Sequence, residues 1–363
     1  VTHAMSGART GEVWILGATG RIGAAVAARL ATQGVPLVLV GRDRERLEKA
    51  QADLGPGDDV KVVVAGTTER IAAEIARRRP AVVVNAIGAY AETALLIARA
   101  CMPGGHYVDL AADLTAVSRL LALHQEAATA GSVLVTGAGF GVLATEAVVV
   151  KLCEDHPTPS RVRVDALGSV AMPGGVMGAY AASIVDVLTT GGRRYSDGRL
   201  VKTRLGADPQ KLALPDGQTV KSAGMPSGEL LAAQRASGAP SVTVTSALAP
   251  AAPAVRAVLP LLGILLAIPA LRRLAVRQMA RIPVKAAPRP RRHSWGHAVV
   301  TWPDGTSREG WLRADDGMDF TADVAAEAAA RLARGEGEPG AHTPAAAFGP
   351  GLAIAAGGVF ILG

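Results

Sequence analysis

The sequence predicts an α/β protein in which a doubly wound parallel sheet is followed by a second, α+β domain with a mixed or antiparallel sheet. Three observations lead there. Residues 12–23 read EVWILGATGRIG, so a short apolar run, Val13–Leu16, meets Gly17, Gly20 and Gly23 and passes at once into an amphipathic segment, Arg21–Gln33. Strand, glycine-rich turn, helix is the order in which a βαβ unit presents a helix N-terminus to a pyrophosphate, and the flanking strand and helix are the context such a glycine pattern needs. Second, the first 140 residues keep alternating apolar runs with helical patterns, and those runs carry little polar alternation, as strands buried on both faces do. Third, this rhythm stops after Gly141.

Taken in order, strands are expected at Val13–Leu16, Leu37–Val40, Val60–Val64, Ala81–Asn85, Tyr107–Leu110 and Ser132–Thr136. Helices are expected between them at Arg21–Gln33, Asp43–Leu54, Thr68–Arg78, Ala91–Cys101 and Asp113–Ala130. Alternation with short connections means a parallel sheet covered on both faces, a Rossmann architecture, over residues 1–140. Beyond it a helix is expected at Leu143–Glu154, a strand at Arg161–Leu167, a helix at Val176–Thr190, and short strands at Arg199–Arg204, Thr219–Lys221 and Val242–Ser246. His297–Trp302 and Ser307–Leu312 pair as a hairpin, because Pro303-Asp304-Gly305-Thr306 between them is turn-forming. A charged, Ala-rich helix, Thr321–Arg334, closes this second domain, 141–335, which is expected to serve substrate binding or dimerisation. The tail, 336–363, is expected to pack back on the first domain.

With 49% hydrophobic but only 3% aromatic residues, the 363-residue chain must build its core from Ala, Val and Leu. The formal charge is +7, yet the basic residues are scattered, and the densest run, Lys285–His293, has no aromatic interleaving. Stacking platforms for bases need such aromatics, so nucleic-acid binding is not expected; attraction of an anionic cofactor or substrate is the simpler use of the excess. Cys101 and Cys153 lie in no C-x-x-C pattern and read as buried free thiols of a reducing cytoplasm. The polar N-terminus, VTHAMSGARTG, does not read as a signal peptide. The most apolar stretch, Val258–Leu271, is interrupted by Pro260 and Pro269 and falls short of the ~20 residues that span a bilayer. No spanning segment is expected there, but a core or interfacial helix. Leu261, Ile264, Leu265 and Ile268 fall at helical spacing, so they form one apolar stripe: the core side of a helix, or a mobile flap over a cleft between residues 257 and 279.

The second expected strand ends VLVGRDRERL. Folds that select NAD place Asp or Glu at this tip, about 20 residues past the glycines, to hold the ribose hydroxyls. Here the tip is Gly41, then Arg42, with Arg44 and Arg46 behind it. An arginine there clamps a 2′-phosphate, and a cation beside a helix N-terminus is unfavourable without an anionic partner. NADP is therefore the expected cofactor, and Asp43 the expected N-cap. Gly17 permits the tight turn, Gly20 the approach of the phosphate, and Gly23 close helix–strand packing; Thr19, Arg21 and Ile22 complete the cradle. Asn85, Ala86, Ile87 and Gly88 end the fourth strand and are expected to line the nicotinamide ribose, since ligands sit outside the carboxyl ends of the strands.

Tyr90 and Asp109 end neighbouring elements at the same crevice and are the expected catalytic residues. Tyr90 either donates a proton or shapes the pocket; Asp109 either orients a substrate or caps the next helix. No metal site is expected, because His293 and His297 have no third ligand beside them. The chain holds no G-x-S-x-G and no P-loop, so hydrolase and kinase chemistry has no support. Four residues after Tyr90, Tyr107, Tyr180 and Tyr195 stand Ala94, Ala111, Ile184 and Arg199. The Tyr–Lys relay of the extended short-chain dehydrogenases, common owners of a GATGxxG turn, is thus absent.

The fourth strand runs into VVVNAIGAYAETALLIARACMPGGHYVDLAADL. With the GATG turn and the GRDRERL segment, this resembles the saccharopine dehydrogenase-like oxidoreductases, which include the trans-acting enoyl reductases. That family's V-G-P-Y step corresponds to Ile87-Gly88-Ala89-Tyr90, and its Y-x-D-L-x-G-E segment to Tyr107-Val108-Asp109-Leu110-Ala111-Ala112-Asp113. TGAGFG at 136–141, PGGVMGAYAAS at 173–183, HSWGH at 293–297 and TPAAAFG at 343–349 extend the resemblance over nearly the whole chain. It departs from the pattern at Ala89, where the family has proline, at Ala112-Asp113 for Gly-Glu, and at Gly141 for Asp. The resemblance implies an NADPH-dependent reductase of an activated double bond, C=N of an imine or C=C of an enoyl or enone compound. Its substrate would be a small molecule, apolar or derived from an amino acid or polyketide, and its assembly a homodimer. The rival class is a non-catalytic NADP-binding sensor or interaction protein on the same fold.

Overall fold

The computed structural model describes residues 10–55, 59–172, 174–178, 180–249 and 253–363. The polar N-terminal segment up to residue 9, and Pro173 and Ala179 of the 173–183 motif, lie outside the described residues. The chain runs through β1 (Thr10–Leu16), α1 (Arg21–Thr32), β2 (Leu37–Gly41), α2 (Arg44–Asp53), β3 (Val60–Val64), α3 (Thr68–Arg78), β4 (Pro80–Asn85), α4 (Tyr90–Cys101), β5 (His106–Asp109), α5 (Leu114–Leu121), α6 (His124–Thr129) and β6 (Val133–Val135). It continues through α7 (Phe140–Cys153), β7 (Arg161–Leu167), β8 (Gly175–Val176), α8 (Tyr180–Thr190), β9 (Gly192–Ser196), β10 (Arg199–Thr203), β11 (Gln210–Ala213), β12 (Thr219–Gly224), α9 (Glu229–Ser237) and β13 (Ser241–Ser246). It closes with α10 (Pro253–Leu266), α11 (Pro269–Ala280), β14 (Pro283–Val284), β15 (Ser294–Thr301), β16 (Ser307–Ala314), α12 (Gly317–Ala333), β17 (Gly340–His342), α13 (Pro344–Phe348), α14 (Gly351–Ala355) and β18 (Val359–Leu362). Two compact units result: Val1–Leu110, Arg119–Thr136 and Ala325–His342 form one, and Ala111–Ser118, Gly137–Val324 and Thr343–Gly363 the other.

The first unit is built on a seven-stranded sheet in the order β17-β6-β5-β4-β1-β2-β3, every pair parallel. The apolar runs read as doubly buried strands are so: Val13, Trp14, Ile15 and Leu16 are fully buried, as are Val82, Val83 and Val84. Helix starts follow local chemistry. Asp43 accepts the Arg46 N–H at 3.2 Å, the expected N-cap, and Thr67 does the same for Arg70 at 3.3 Å. The helix expected over Asp113–Ala130 is instead two, α5 and α6. The second is pinned to a distant strand: the Ala341 N–H of β17 donates to His124 Nδ1 at 3.2 Å.

The second unit holds a nine-stranded mixed sheet in the order β10-β9-β13-β7-β15-β16-β18, with the β11–β12 hairpin joined to β13 through β12. β13 and β7 run parallel and the neighbouring pairs antiparallel. The expected hairpin is β15–β16, with Thr301 opposite Ser307, and Asp304 accepts the Thr306 N–H at 2.9 Å inside its turn. α7 is buried along most of its length and rests on β15 so closely that a Cβ on Gly296 would stand 2.7 Å from the Ala144 Cβ. Glu146, buried in α7, accepts the N–H groups of Ala345 and Ala346 at 3.0 and 3.2 Å and the Thr343 hydroxyl. The TPAAAFG segment is thus the start of α13, held by a buried carboxyl whose pKa burial pushes up to about 7.

Several expectations are corrected here. The helix expected from Val176 starts at Tyr180, because Gly175 and Val176 pair with Val284 and Pro283. β9, β11 and α9 were not expected at all. Cys101 is buried, but Cys153 is only half-buried. Of the two readings of the stripe, the core one is overturned: Leu261, Ile264, Leu265 and Ile268 are 60%, 69%, 44% and 49% exposed. Among the described residues no helix is long and apolar enough to cross a membrane.

Candidate functional site

The crevice between β1 and β4 lies where the strand order reverses, since β2 and β3 continue on the other side of β1. Ligands of open α/β sheets bind at such a switch point, outside the carboxyl ends of the strands. β1 ends at Leu16, and the Gly17 and Ala18 N–H groups both reach the Val40 carbonyl of β2, at 3.0 and 3.3 Å. Gly17 then turns with φ +74°, a left-handed conformation that costs glycine little. A Cβ there would stand 3.0 Å from the Ala86 carbonyl oxygen, so the β1 and β4 loops touch. Gly20 donates to the Gly17 carbonyl at 2.9 Å and leads α1 with no side-chain cap and no acidic residue in its first turn. A Cβ on Gly23 would fall 2.3 Å from the Gly17 carbonyl oxygen. The turn therefore closes onto the helix only because residue 23 has no side chain. Thr19 and Ile22 are half-buried beside it, and Gly20 and Arg21 are exposed. An uncapped helix N-terminus behind a glycine turn suits a pyrophosphate.

At the tip of β2 the three arginines have different fates. Arg44 pairs with Glu48 at 3.4 Å, and Arg46 donates to the Thr19 carbonyl at 3.4 Å, bracing the glycine turn. Arg42 is exposed and takes no partner among the described residues. It lies beside Gly66, past the end of β3, whose added Cβ would sit 3.8 Å from the Arg42 side chain. The tip thus carries one uncommitted guanidinium, the donor that suits a 2′-phosphate, while its acid, Asp43, is engaged in capping α2.

The end of β4 is held by its own side chain. Asn85, fully buried, accepts the Ile87 N–H at 3.2 Å and donates from Nδ2 to the Tyr107 hydroxyl oxygen at 3.0 Å. Tyr107 bonds in turn to Asp109, and Asp109 Oδ1 accepts the Thr136 hydroxyl at 2.9 Å. Burial first, then the Asp109 charge, push the Tyr107 hydroxyl well above the ordinary phenol range, and Tyr90 adds to the same push. The structure thus links Asn85, Tyr107, Asp109 and Thr136 across the ends of β4, β5 and β6. Ile87 remains 39% exposed and Gly88 takes φ +82°. Tyr90 begins α4, half-buried and packed on the core cluster that includes Tyr107.

One reading of Asp109 is overturned: it does not cap the next helix. Asp113 does, accepting the Ala116 N–H at 2.7 Å. Tyr107 and Thr136 were missed by sequence reasoning. The signal for Tyr107 was present, because it and Asp109 are two apart on one strand and share a face.

A second polar row lies in the other unit and was also missed. Cross-strand register places Thr245, Asp165, His297 and Trp311 side by side on β13, β7, β15 and β16. His297 Nδ1 lies 2.8 Å from Asp165, its Nε2 lies 3.0 Å from Glu309, and its ring stacks on Trp311 at 3.9 Å. Arg163 approaches Asp165 at 3.0 Å, Ser222 donates to it at 3.1 Å, and Thr245 donates to it as well. Burial opposes ionisation of Asp165, but the His297 and Arg163 hydrogen bonds and the Arg163 charge outweigh it and leave its pKa at about 2. His293 faces Asp315 instead, at 3.0 Å, so the two histidines serve different partners.

Residues 13–135 match the family described as Saccharopine dehydrogenase NADP binding domain. Among solved structures, the chain is similar to serine dehydrogenase from Escherichia coli, at 16% identity and TM-score 0.30, over 34% of this chain and 80% of that one. It is similar to a short-chain dehydrogenase from Sphingobium yanoikuyae in complex with NADPH, at 25% identity and TM-score 0.30, over 34% and 70%. It is also similar to a metagenomic short-chain oxidoreductase in complex with NADP, at 19% identity and TM-score 0.32, over 35% and 81%. No curated protein matches the chain. Residues 13–135 are thus an NADP-binding domain of the saccharopine dehydrogenase kind, the cofactor domain of an NADP-dependent oxidoreductase.

Proposed function

We propose that this oxidoreductase reduces an activated double bond, C=N of an imine or C=C conjugated to a carbonyl. NADPH, when bound, supplies the hydride. The chain's own part is binding, orientation and one proton. Gly17, Thr19, Gly20, Arg21, Ile22 and Gly23 hold the pyrophosphate; Arg42 holds the 2′-phosphate; Asn85, Ala86, Ile87 and Gly88 line the nicotinamide ribose. Residues 141–335 supply the substrate or dimerisation domain, and a homodimer is the assembly in this reading.

The observation that carries the reading is the setting of Tyr90. It is the first residue of α4, half-buried, beside a crevice-end network in which Asn85, Tyr107 and Asp109 are committed to one another. Tyr90 O–H gives its proton to the substrate nitrogen or carbon, and the phenolate left behind sits at a helix N-terminus, where negative charge is favoured. Asp109 acts one step back, as a positioning residue: through Tyr107 it keeps Asn85, and so the Asn85–Gly88 loop, in place. Reduction of an activated double bond asks for one proton donor, and the chain has no lysine four residues after any tyrosine.

The test is NADPH consumption by the purified chain over a panel of imines and enones, with Tyr90→Phe alongside. The expected outcome is turnover on one class, slowed in Tyr90→Phe by the 10²–10⁴-fold typical of a lost general acid (about 3–5 kcal/mol), with NADPH affinity within about threefold. No turnover on either class, or a variant as fast as the parent, overturns the reading.

A further inference from the structure

From Val258 to Leu266 α10 carries apolar residues only, and only part of the described surface is covered. Its inward line is Leu259, Gly263 and Leu266. Leu259 is 9% exposed, and a Cβ on Gly263 would stand 2.7 Å from the Leu188 carbonyl oxygen, so α10 rests on α8 along this line. Its outward line, Leu261, Ile264, Leu265 and Ile268, is exposed, and Leu271 and Leu274 of α11 extend it at 40% and 53%. α11 buries no residue. A helix apolar all round belongs in a core or in lipid, and contiguous exposed apolar surface marks an interaction site. Neither helix can cross a bilayer.

The charges that these two helices themselves carry have one sign. Between Glu229 and Asp304 the sequence contains no acidic residue, while arginines recur throughout. Arg273 and Arg277 are exposed, one position before and three after Leu274, so a basic row adjoins the apolar one. Arg272 is committed to Asp186 of α8. Arg281, Lys285, Arg289 and Arg292 follow, all exposed. An apolar face bordered by exposed arginines, with Asp186 already paired to Arg272, complements an anionic lipid surface. It opposes a second copy of itself, because like charges would meet.

We propose that the α10–α11 hairpin docks this protein onto anionic phospholipid bilayers, with the apolar line entering the acyl boundary and Arg273 and Arg277 at the phosphates. The inference stands apart from the reaction. The experiment is co-sedimentation of the purified chain with vesicles of phosphatidylcholine, with and without phosphatidylglycerol, at low and high salt. Two double variants accompany it, Arg273→Gln with Arg277→Gln and Ile264→Ser with Leu265→Ser. All four side chains are exposed, and unchanged circular dichroism and NADPH affinity establish that the variants fold. The expected result is salt-sensitive binding that requires phosphatidylglycerol. It should weaken roughly twenty-fivefold in the arginine variant, from about fivefold per basic residue near the surface, and be lost in the Ile264/Leu265 variant. Wild-type protein left in the supernatant, or an Ile264/Leu265 variant that binds like wild type, overturns the proposal. So does a dimer that the Ile264/Leu265 variant disperses while vesicles are ignored; that outcome gives the face to a second copy.

Discussion

Arg42 differs from Arg44 and Arg46 only in what its neighbours have already claimed. Glu48 holds Arg44, and the Thr19 carbonyl holds Arg46, which leaves Arg42 as the arginine of the three with no partner among the described residues. If it clamps the 2′-phosphate, NADPH binds at least ~tenfold tighter than NADH, and Arg42→Asp erases or inverts that preference by supplying the acid that NAD folds place there. Titration of both cofactors against both proteins decides; equal affinity of the parent for the two would remove the role. The same accounting separates Asp109 from a free catalytic acid. Its carboxylate is fully buried and accepts the Thr136 hydroxyl, which suits a positioning residue better than a group meeting solvent or substrate.

At the scale of an element, the start of α4 carries backbone strain. Gly88 has φ +82° and Ala89, the N-cap, has φ +45° and ψ +46°. A left-handed conformation costs an L-residue about 1–2 kcal/mol, and proline, locked near φ −65°, cannot adopt it at all. The departure from V-G-P-Y at Ala89 thus accompanies a turn that the family's proline could not make. Ala89→Gly should therefore stabilise the protein by up to about 1 kcal/mol, the relieved strain less glycine's extra unfolded freedom, read as a raised denaturant midpoint. Ala89→Pro should lower the midpoint and slow turnover, because Tyr90 is the next residue. A midpoint unmoved by glycine would mean the turn is not strained.

For the whole molecule, pH should act through two buried carboxyls of the second unit with opposite signs. Asp165 has its folded pKa depressed from 3.8 to about 2, so its contribution is present above pH 3.8 and lost as pH falls through about 2. Glu146 has its folded pKa raised from 4.5 to about 7, so its contribution is present below pH 4.5 and lost as pH rises through about 7. Shifts of this size correspond to roughly 2 and 3 kcal/mol respectively. Denaturant midpoints across this range should therefore peak near about pH 4–5 in these two contributions. Asp165→Asn should remove the acid-side fall. A flat profile from about pH 5 to 8 would argue that Glu146 is ionised throughout.

Local chemistry reaches far in this chain, but it stops at partners. Apolar period, glycine spacing and turn residues mark out β1, the glycine turn, the Asp43 cap and the β15–β16 hairpin, because each is set by neighbours within a few residues. The crevice proposed for the cofactor could be read for the same reason: its glycines, Arg42 and Asn85–Gly88 all lie at or just past strand ends. Other features needed residues far apart in the chain. α5 and α6 separate where His124 meets Ala341, and no local pattern announces a strand so distant. The row of Thr245, Asp165, His297 and Trp311 exists through the register of four strands, and a one-residue slip would abolish it. Asp109 was visible as a strand-end acid, but its partners are Thr136, just past the end of β6, and Tyr107, two residues back on its own strand. The stripe on α10 was visible as well, and its period says that the helix has an apolar face. What covers that face depends on which surfaces the folded chain has left to offer, and α8 covers only the opposite one.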